Sequence, residues 1–199
     1  VNTQKEIIFR LAKASEYRDN ETGAHIKRMG HFCKVIAEKV FNFDHTESED
    51  LRIACMMHDV GKIAISDNII LKPGKLTKEE FDIVKTHTTL GSNILAGDSG
   101  FYIKRGRICA LTHHEKWDGT GYPRQLKGKK IPLIGRIAAV GDVFDALTSR
   151  RPYKEPWSIR AAAAEIAGQK GRHFDPRISN GINDLLPDFR KIINQFPDN

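Results

Sequence analysis

The amino-acid sequence predicts an all-α fold. Apolar residues recur at spacings of three and four along most of the 199-residue chain, and helix-capping patterns precede several of these stretches. No segment shows the sustained alternation of apolar and polar residues that is typical of strands. We therefore expect a single helical domain that covers residues 1–199.

The first half of the chain contains three helix patterns. The apolar face of the first helix is predicted to consist of Ile7, Ile8, Leu11, Ala14 and Ser15. This helix is expected to end or bend within residues 16–23, and a second amphipathic helix runs from His25 to Val40. A third helix is predicted over residues 47–58, because the acidic residues at its start favour a helix N-terminus.

Clearer helix starts occur from residue 77 onward. Thr77 and Glu80 form a capping box, and the helix that they begin runs toward His87. Asp175 followed by Pro176 is typical of an N-cap with proline at the first helical position. Other helices are predicted at about 88–96, 101–113, 134–149 and 158–169. Residues 115–133 are predicted to form a long loop, and such loops in compact domains are usually functional or disordered.

The composition excludes several classes of protein. Hydrophobic content of 40% and charged content of 29% are those of a soluble globular chain. No apolar stretch reaches the ~18 residues that a membrane span needs, and the first residues do not resemble a secretory signal. The three cysteines are widely spaced among apolar neighbours, which favours reduced thiols and a cytoplasmic location.

The net charge of +7 suggests an anionic partner. The basic residues are spread out and do not alternate with aromatic ones, so we do not expect a nucleic-acid partner. A small phosphorylated ligand accounts for the charge at least as well. On charge alone, a merely solvated basic surface remains an alternative.

Imidazole and carboxylate side chains recur in close pairs along the chain. The candidate metal ligands are Glu21, His25, His58, Asp59, His87, His113, His114 and Asp142. This mixture of nitrogen and oxygen donors, without thiolate, suits borderline-hard transition metals and indicates more than one ion. Separately, an exposed Glu/His pair, a histidine at a helix end or a structural histidine would explain several of them. The adjacent His113 and His114, after an apolar helix, are harder to explain without metal.

Three segments carry a resemblance to a known family. They are HDVGK at 58–62, HHEKWDGTGYP at 113–123 and DVFDALTSRRPYK at 142–154. With them the chain resembles the HD-GYP family, a branch of the HD-domain metal phosphohydrolases that degrades cyclic di-GMP. The resemblance extends from ETGAH at 21–25 to FDP at 174–176. It implies an HD-domain helical bundle with an extended GYP loop, in which residues 21–190 form the catalytic core and residues 1–20 a leading helix or a linker from an upstream regulatory domain.

The resemblance also implies roles for individual residues. All eight candidate ligands match the metal ligands of the family, with Asp59 bridging two ions and with Asp59, Lys62 and Asp142 as catalytic residues. Because both Glu21 and His25 are present, the site is expected to hold two or three ions. The residues that match contacts to substrate phosphate, or supports of the attacking water, are Lys62, Asp145, Arg151 and Lys154. Gly121, Tyr122 and Pro123 match the loop that is linked to contacts with diguanylate cyclase (GGDEF) domains.

The expected activity is hydrolysis of cyclic di-GMP to linear pGpG, to GMP, or to both. Iron or manganese is the expected metal, with zinc, nickel and cobalt as alternatives. The rival interpretations are a hydrolase of another cyclic dinucleotide, such as cyclic GMP-AMP, and a sensor or docking module without catalysis. An upstream receiver domain is an expected partner.

Overall fold

The computed structural model describes residues 2–16, 23–97, 100–150 and 155–198, and it confirms the all-α fold. The helices are α1 (Asn2–Glu16), α2 (Gly23–Phe41), α3 (His45–Cys55), α4 (Asp67–Ile70), α5 (Lys78–Lys85), α6 (His87–Ile94), α7 (Phe101–Thr112), α8 (Leu133–Thr148), α9 (Ile159–Gly168) and α10 (Pro176–Gln195). The described ranges contain no β-strand, although an isolated bridge joins Lys170 and Phe174. Within the same ranges, no helix combines the length and apolarity required to cross a membrane.

Helix α2 lies at the centre of the bundle, where it packs against α3, α8 and α10. Its predicted apolar face is confirmed, since Met29, Phe32, Cys33, Ile36 and Ala37 are fully buried. The ring of Phe32 contacts those of Phe144 on α8 and Phe189 on α10, with centroids 5.2 and 4.6 Å away. Close packing of this kind makes α2 a rigid support for any side chain that it carries.

A second layer positions the residues of interest. A 3₁₀ turn, Val60–Ala64, follows α3 and packs against α6 and α1, while α7 packs against α3, α6 and α8. Val60 and Ala110 belong to one small apolar cluster that joins the turn to α7. The ends of α3 and α7 and the start of α6 are thereby brought together.

The two helix starts predicted from capping residues are confirmed. The Thr77 hydroxyl accepts a hydrogen bond from the Glu80 N–H, and the Glu80 carboxylate accepts one from the Thr77 N–H. The Asp175 carboxylate accepts a hydrogen bond from the Arg177 N–H, with Pro176 at the first helical position. Both helix starts could be predicted because the capping side chains lie within three residues of the main-chain groups to which they bind.

The predicted apolar face of the first helix was right for Ile8 and Ser15 and wrong for Ile7, Leu11 and Ala14. Ile8, Ala12 and Ser15 are buried, whereas Ile7 and Leu11 are 52% and 57% exposed. Positions 8, 12 and 15 follow a spacing of four and three, which is the line along which α1 contacts its neighbours. Apolar content alone did not identify that line, because both sides of α1 carry apolar residues.

The predicted bounds of the third helix were also wrong. Helix α3 begins at His45, because Asp44 caps it in a capping box with Glu47. It ends at Cys55, so His58 and Asp59 lie in the turns after the helix. A sharp change of chain direction therefore occurs where the His-Asp pair stands.

Candidate metal centre

Main-chain carbonyls orient three of the candidate histidine ligands. The Nδ1 atoms lie 3.1 Å from the Cys55 oxygen for His58, 2.6 Å from the Val84 oxygen for His87 and 3.0 Å from the Ala110 oxygen for His113. A carbonyl only accepts, so each Nδ1 must carry the proton. Each Nε2 is then left as the nitrogen with a lone pair, which is the state that a metal ligand requires.

The Asp59 carboxylate lies where these imidazoles converge. Its Oδ1 is 3.2 Å from Nε2 of His87 and 3.3 Å from Nε2 of His113. Its Oδ2 is 3.3 Å from Nε2 of His58 and 2.7 Å from Nζ of Lys62. The two oxygens thus face different groups of histidines, which is the arrangement that a bridging carboxylate needs.

The candidate ligands form two groups. Asp59, His87, His113 and His114 make one group, and His25, His58 and Asp142 make the other; within each, the donor atoms lie within 4.8 Å of one another. The structure therefore brings together seven of the eight predicted ligands, although metal binding by them stays a prediction. Glu21 lies outside the described residues.

Gly61 permits the close approach of the His-Asp turn to α6. A Cβ at this position would clash with the main-chain oxygen of His87 and the main-chain nitrogen of Gly91. The turn and the start of α6 are therefore in backbone contact, which places Asp59 beside the His87 imidazole. A larger residue at position 61 would separate two candidate ligands that are 28 residues apart in the sequence.

Buried polar atoms in the centre fit a cation. Among the described residues, His58 Nε2 and Asp59 Oδ1 are buried without a well-oriented hydrogen bond, although histidine nitrogens surround them. Burial alone would raise the pKa of Asp59, but the charge of Lys62 foremost outweighs it and holds the pKa well below its usual range. An anionic carboxylate that faces imidazole lone pairs in a buried site is a donor set that suits a metal cation.

His114 is held in its neutral form. Burial, followed by the neighbouring His113 and His87, lowers its pKa well below the usual value. The ring of Tyr122 lies beside it, with centroids 4.8 Å apart, and 6.4 Å from the ring of His87. Burial, with the charges of Asp59 and Asp142, raises the pKa of Tyr122, so its phenol stays protonated.

Glu115 anchors the predicted GYP loop to the centre. Its buried carboxylate accepts hydrogen bonds of 2.7 Å from the Arg124 N–H and 2.9 Å from the Leu126 N–H. The Tyr122 N–H donates to the His114 oxygen at 3.2 Å, which closes the loop onto the ligand segment. The half-buried Tyr122 therefore lines one side of the candidate metal centre. The predicted partner contact of Gly121, Tyr122 and Pro123 stays a prediction.

Asp145 lies behind His25 instead of at the surface of the centre. Its Oδ2 is 2.7 Å from His25 Nδ1, and the Arg28 guanidinium donates to both of its oxygens. The side chain is about 1% exposed. Both oxygens are thus engaged by His25 and Arg28, and the predicted role of Asp145 toward substrate phosphate or the attacking water stays a prediction.

The remaining predicted substrate contacts divide into two cases. Lys62 lies at the centre, with its side chain 13% exposed and its ammonium against Asp59. Arg151 and Lys154 lie outside the described residues. Their predicted role therefore stays a prediction.

Comparison with known proteins identifies the family. Residues 10–178 match the family described as HD domain. The chain belongs to the HD domain family.

Curated relatives are similar to nearly the whole chain. The chain is 45% identical over 193 residues to the "Cyclic di-GMP phosphodiesterase response regulator RpfG" of Xanthomonas campestris, covering 97% of this chain and 51% of that protein. It is 41% identical to the "3'3'-cGAMP-specific phosphodiesterase 2" of Vibrio cholerae, covering 98% and 37%. The chain thus spans about half or less of the length of these two curated relatives.

A solved HD-GYP structure has the same fold. The structure titled "Bd1817, a HDG"Y"P protein from Bdellovibrio bacteriovorus" superimposes with a TM-score of 0.63 at 17% identity, covering 94% of this chain and 63% of that one. At this identity the likeness shows the fold alone. The HD-domain match and the curated relatives confirm the resemblance stated from the sequence. The solved structure confirms the helical bundle that the resemblance implied.

Two residues of the HD-domain centre were missed from the sequence. Glu115 directly follows the His113-His114 pair, so its place in the signature segment was the available signal. Arg28 lies three residues after His25 on an otherwise apolar face of α2, where a charge is unusual. Glu115 binds main-chain N–H groups, and Arg28 binds side chains far along the sequence. Spacing patterns do not reveal partners of either kind.

Proposed function

We propose that the chain is a metal-dependent phosphodiesterase that hydrolyses cyclic di-GMP to linear pGpG, to GMP, or to both. The observation that carries the proposal is the position of Asp59, whose two oxygens face two separate groups of histidine and carboxylate donors. The names of the relatives support the substrate class, since both act on cyclic dinucleotides.

We propose two or three iron or manganese ions as the cofactors. Imidazole-rich, carboxylate-bridged sites favour these metals over magnesium, which prefers oxygen donors and keeps its waters. Zinc, nickel and cobalt have the same kind of donor preference and stay as alternatives. A third ion is proposed from the presence of both Glu21 and His25.

The reaction is attack of water on phosphorus with loss of the 3′-oxygen. The P–O3′ bond breaks, and the leaving oxygen takes up a proton. Bound divalent metal lowers the pKa of water and neutralises charge on the phosphoryl oxygens. In this proposal Asp59 and Asp142 would hold the metal ions, and the Lys62 ammonium beside Asp59 would donate to a phosphoryl oxygen.

Two further proposals concern protein domains that interact with the chain. The GYP loop, Gly121 to Pro123, is proposed as the contact for diguanylate cyclase (GGDEF) domains, because it matches the family loop with that role. A receiver domain is proposed as the regulatory partner, and the name of the Xanthomonas relative, a response regulator, supports this.

The decisive experiment is a turnover assay with product chromatography. Protein loaded separately with Fe²⁺ and Mn²⁺ is incubated with cyclic di-GMP, cyclic GMP-AMP and a nucleoside monophosphate. The expected result is conversion of cyclic di-GMP to pGpG or GMP at a rate that Asp59→Ala abolishes. Faster conversion of cyclic GMP-AMP would favour the specificity named for the Vibrio relative. Binding of a cyclic dinucleotide without turnover would favour the sensor interpretation and overturn the proposal.

A further inference from the structure

Arg28 is a buried cation with every donor engaged. It lies on α2, one turn after His25, and is 2% exposed. The acceptor oxygens around its guanidinium are Asp145 Oδ1 at 2.6 Å, Asp145 Oδ2 at 3.1 Å, Ser149 Oγ at 2.7 Å, the Phe196 carbonyl at 2.8 Å and Asp198 Oδ1 at 2.8 Å. An arginine offers five N–H donors, so this environment satisfies all of them.

One side of Arg28 faces the metal centre through Asp145. The Asp145 Oδ2 atom accepts from Arg28 and from Ser149, and it lies 2.7 Å from Nδ1 of His25. The Nδ1 atom of His25 contacts a side chain, whereas those of His58, His87 and His113 contact main-chain carbonyls. The orientation of its ring therefore depends on where Arg28 holds the carboxylate.

The other side of Arg28 faces the segment that follows α10. The Phe196 carbonyl and the Asp198 carboxylate both bind its Nη1 atom. Asp198 Oδ2 also accepts from the Arg150 N–H at 2.9 Å, and the Phe196 ring stacks on His31 with centroids 5.2 Å apart. This segment is thus tied both to α2 and to the chain just after α8.

We propose that Arg28 and Asp198 are positioning residues of the metal centre. Arg28 fixes the carboxylate that orients His25, and Asp198 fixes Arg28 while holding the main chain at Arg150, directly before the proposed substrate residue Arg151. The inference rests on the proposed function, because it takes His25 as a metal ligand. Partners of this kind typically change metal affinity by about 10–100-fold when they are lost.

The alternative is a purely structural role, in which Arg28 only joins α2, α8 and the 196–198 segment. A matched control variant distinguishes this structural role from positioning of the metal centre. Arg136 also forms a nearly buried ion pair, with Asp175 at 2.7 Å, and donates to the Ile131 carbonyl, so it ties α8 to the start of α10. Neither Arg136 nor Asp175 contacts a candidate ligand among the contacts recorded for the described residues.

The test compares metal retention in Arg28→Lys and Arg136→Lys. Each full-length chain is loaded with Mn²⁺ and dialysed against a graded series of chelator concentrations, and the retained manganese per chain is measured together with the melting temperature. We expect both variants to have a lower melting temperature than the wild type. Arg28→Lys should raise the apparent Kd for at least one manganese by about 10–100-fold, while Arg136→Lys keeps the wild-type curve.

A second pair of variants covers the case in which Arg28→Lys fails to fold. Asp198 and Asp188 have side chains that are each 30% exposed, but Asp188 pairs only with Lys191 among the ion pairs of the described residues. Asp198→Ala is expected to lose manganese more readily than the wild type, and Asp188→Ala is not. Wild-type retention in Asp198→Ala and in any folded Arg28→Lys would overturn the inference. Absence of cyclic dinucleotide hydrolysis by the wild type would instead overturn the proposed function and leave the retention curves interpretable.

Discussion

Lys62 Nζ lies 2.7 Å from Asp59 Oδ2, three residues away along the same turn. An ammonium in this position satisfies the carboxylate before any metal binds. If cations bind at Asp59, as we propose, they would repel the ammonium and leave it available to an anion. The pair would then link metal binding to the binding of substrate phosphate.

Lys62→Ala is expected to lower kcat/KM by about tenfold or more, since a charge-assisted contact to phosphate contributes about one to several kcal/mol. Kinetics on cyclic di-GMP with metal content measured in parallel would check this. Lys72→Ala is a suitable control, because Lys72 pairs with Glu80 at 2.7 Å and not with the centre. Arg151→Ala is expected to show a similar loss. Unchanged kinetics with a lowered melting temperature would contradict a substrate role for either residue.

Asp59→Ala is expected to remove bound metal and abolish turnover, because no other described carboxylate faces both groups of ligands. Elemental analysis of the purified variant measures the first effect and the chromatographic assay the second. Asp184→Ala, at an exposed position of α10, should leave both unchanged. Full metal content in the Asp59 variant would show that the bridging assignment is wrong.

Glu21→Ala is expected to lower the metal stoichiometry by about one ion while a dinuclear core remains. The physical reason is that His58, Asp142 and the Asp59 group keep their own donors when Glu21 is lost. Elemental analysis of the two proteins under identical loading measures the difference. An anomalous-scattering map in which Glu21 points away from all ions would contradict it.

His31→Gln is expected to make the stability of the metal-free protein less dependent on pH between about 4 and 6.5. Burial, followed by Arg52, lowers the His31 pKa to about 4, with Lys34 and Lys27 adding and Glu49 opposing. Between the two pKa values the unfolded chain binds a proton that the folded chain does not, so the free energy of unfolding falls as the pH decreases. Denaturant unfolding of both proteins across this range measures the difference in slope. Parallel curves would exclude the contribution.

The sequence was sufficient to predict which described histidines and carboxylates lie together, but not the groups that support them. Two adjacent pairs, His58-Asp59 and His113-His114, supply four of the candidate ligands. Adjacent pairs can be recognised in the sequence without knowledge of the fold. The partners of their Nδ1 atoms are main-chain oxygens, which every residue has, so no sequence pattern distinguishes them. The contact between Arg28 and Asp145 joins residues that are 117 positions apart. Only the packing of α2 against α8 determines that distance, and this packing cannot be read from spacing.

The carbonyl partners of His58, His87 and His113 have a consequence for mutational tolerance. Because substitution does not remove a main-chain oxygen, positions 55, 84 and 110 can exchange side chains, within the limits of packing, and still orient the same three imidazoles. His25 has no such protection, since its orientation depends on one particular side chain at position 145. A saturation library should therefore be permissive at position 84 and intolerant at position 145, although both lie directly behind a histidine of the same centre.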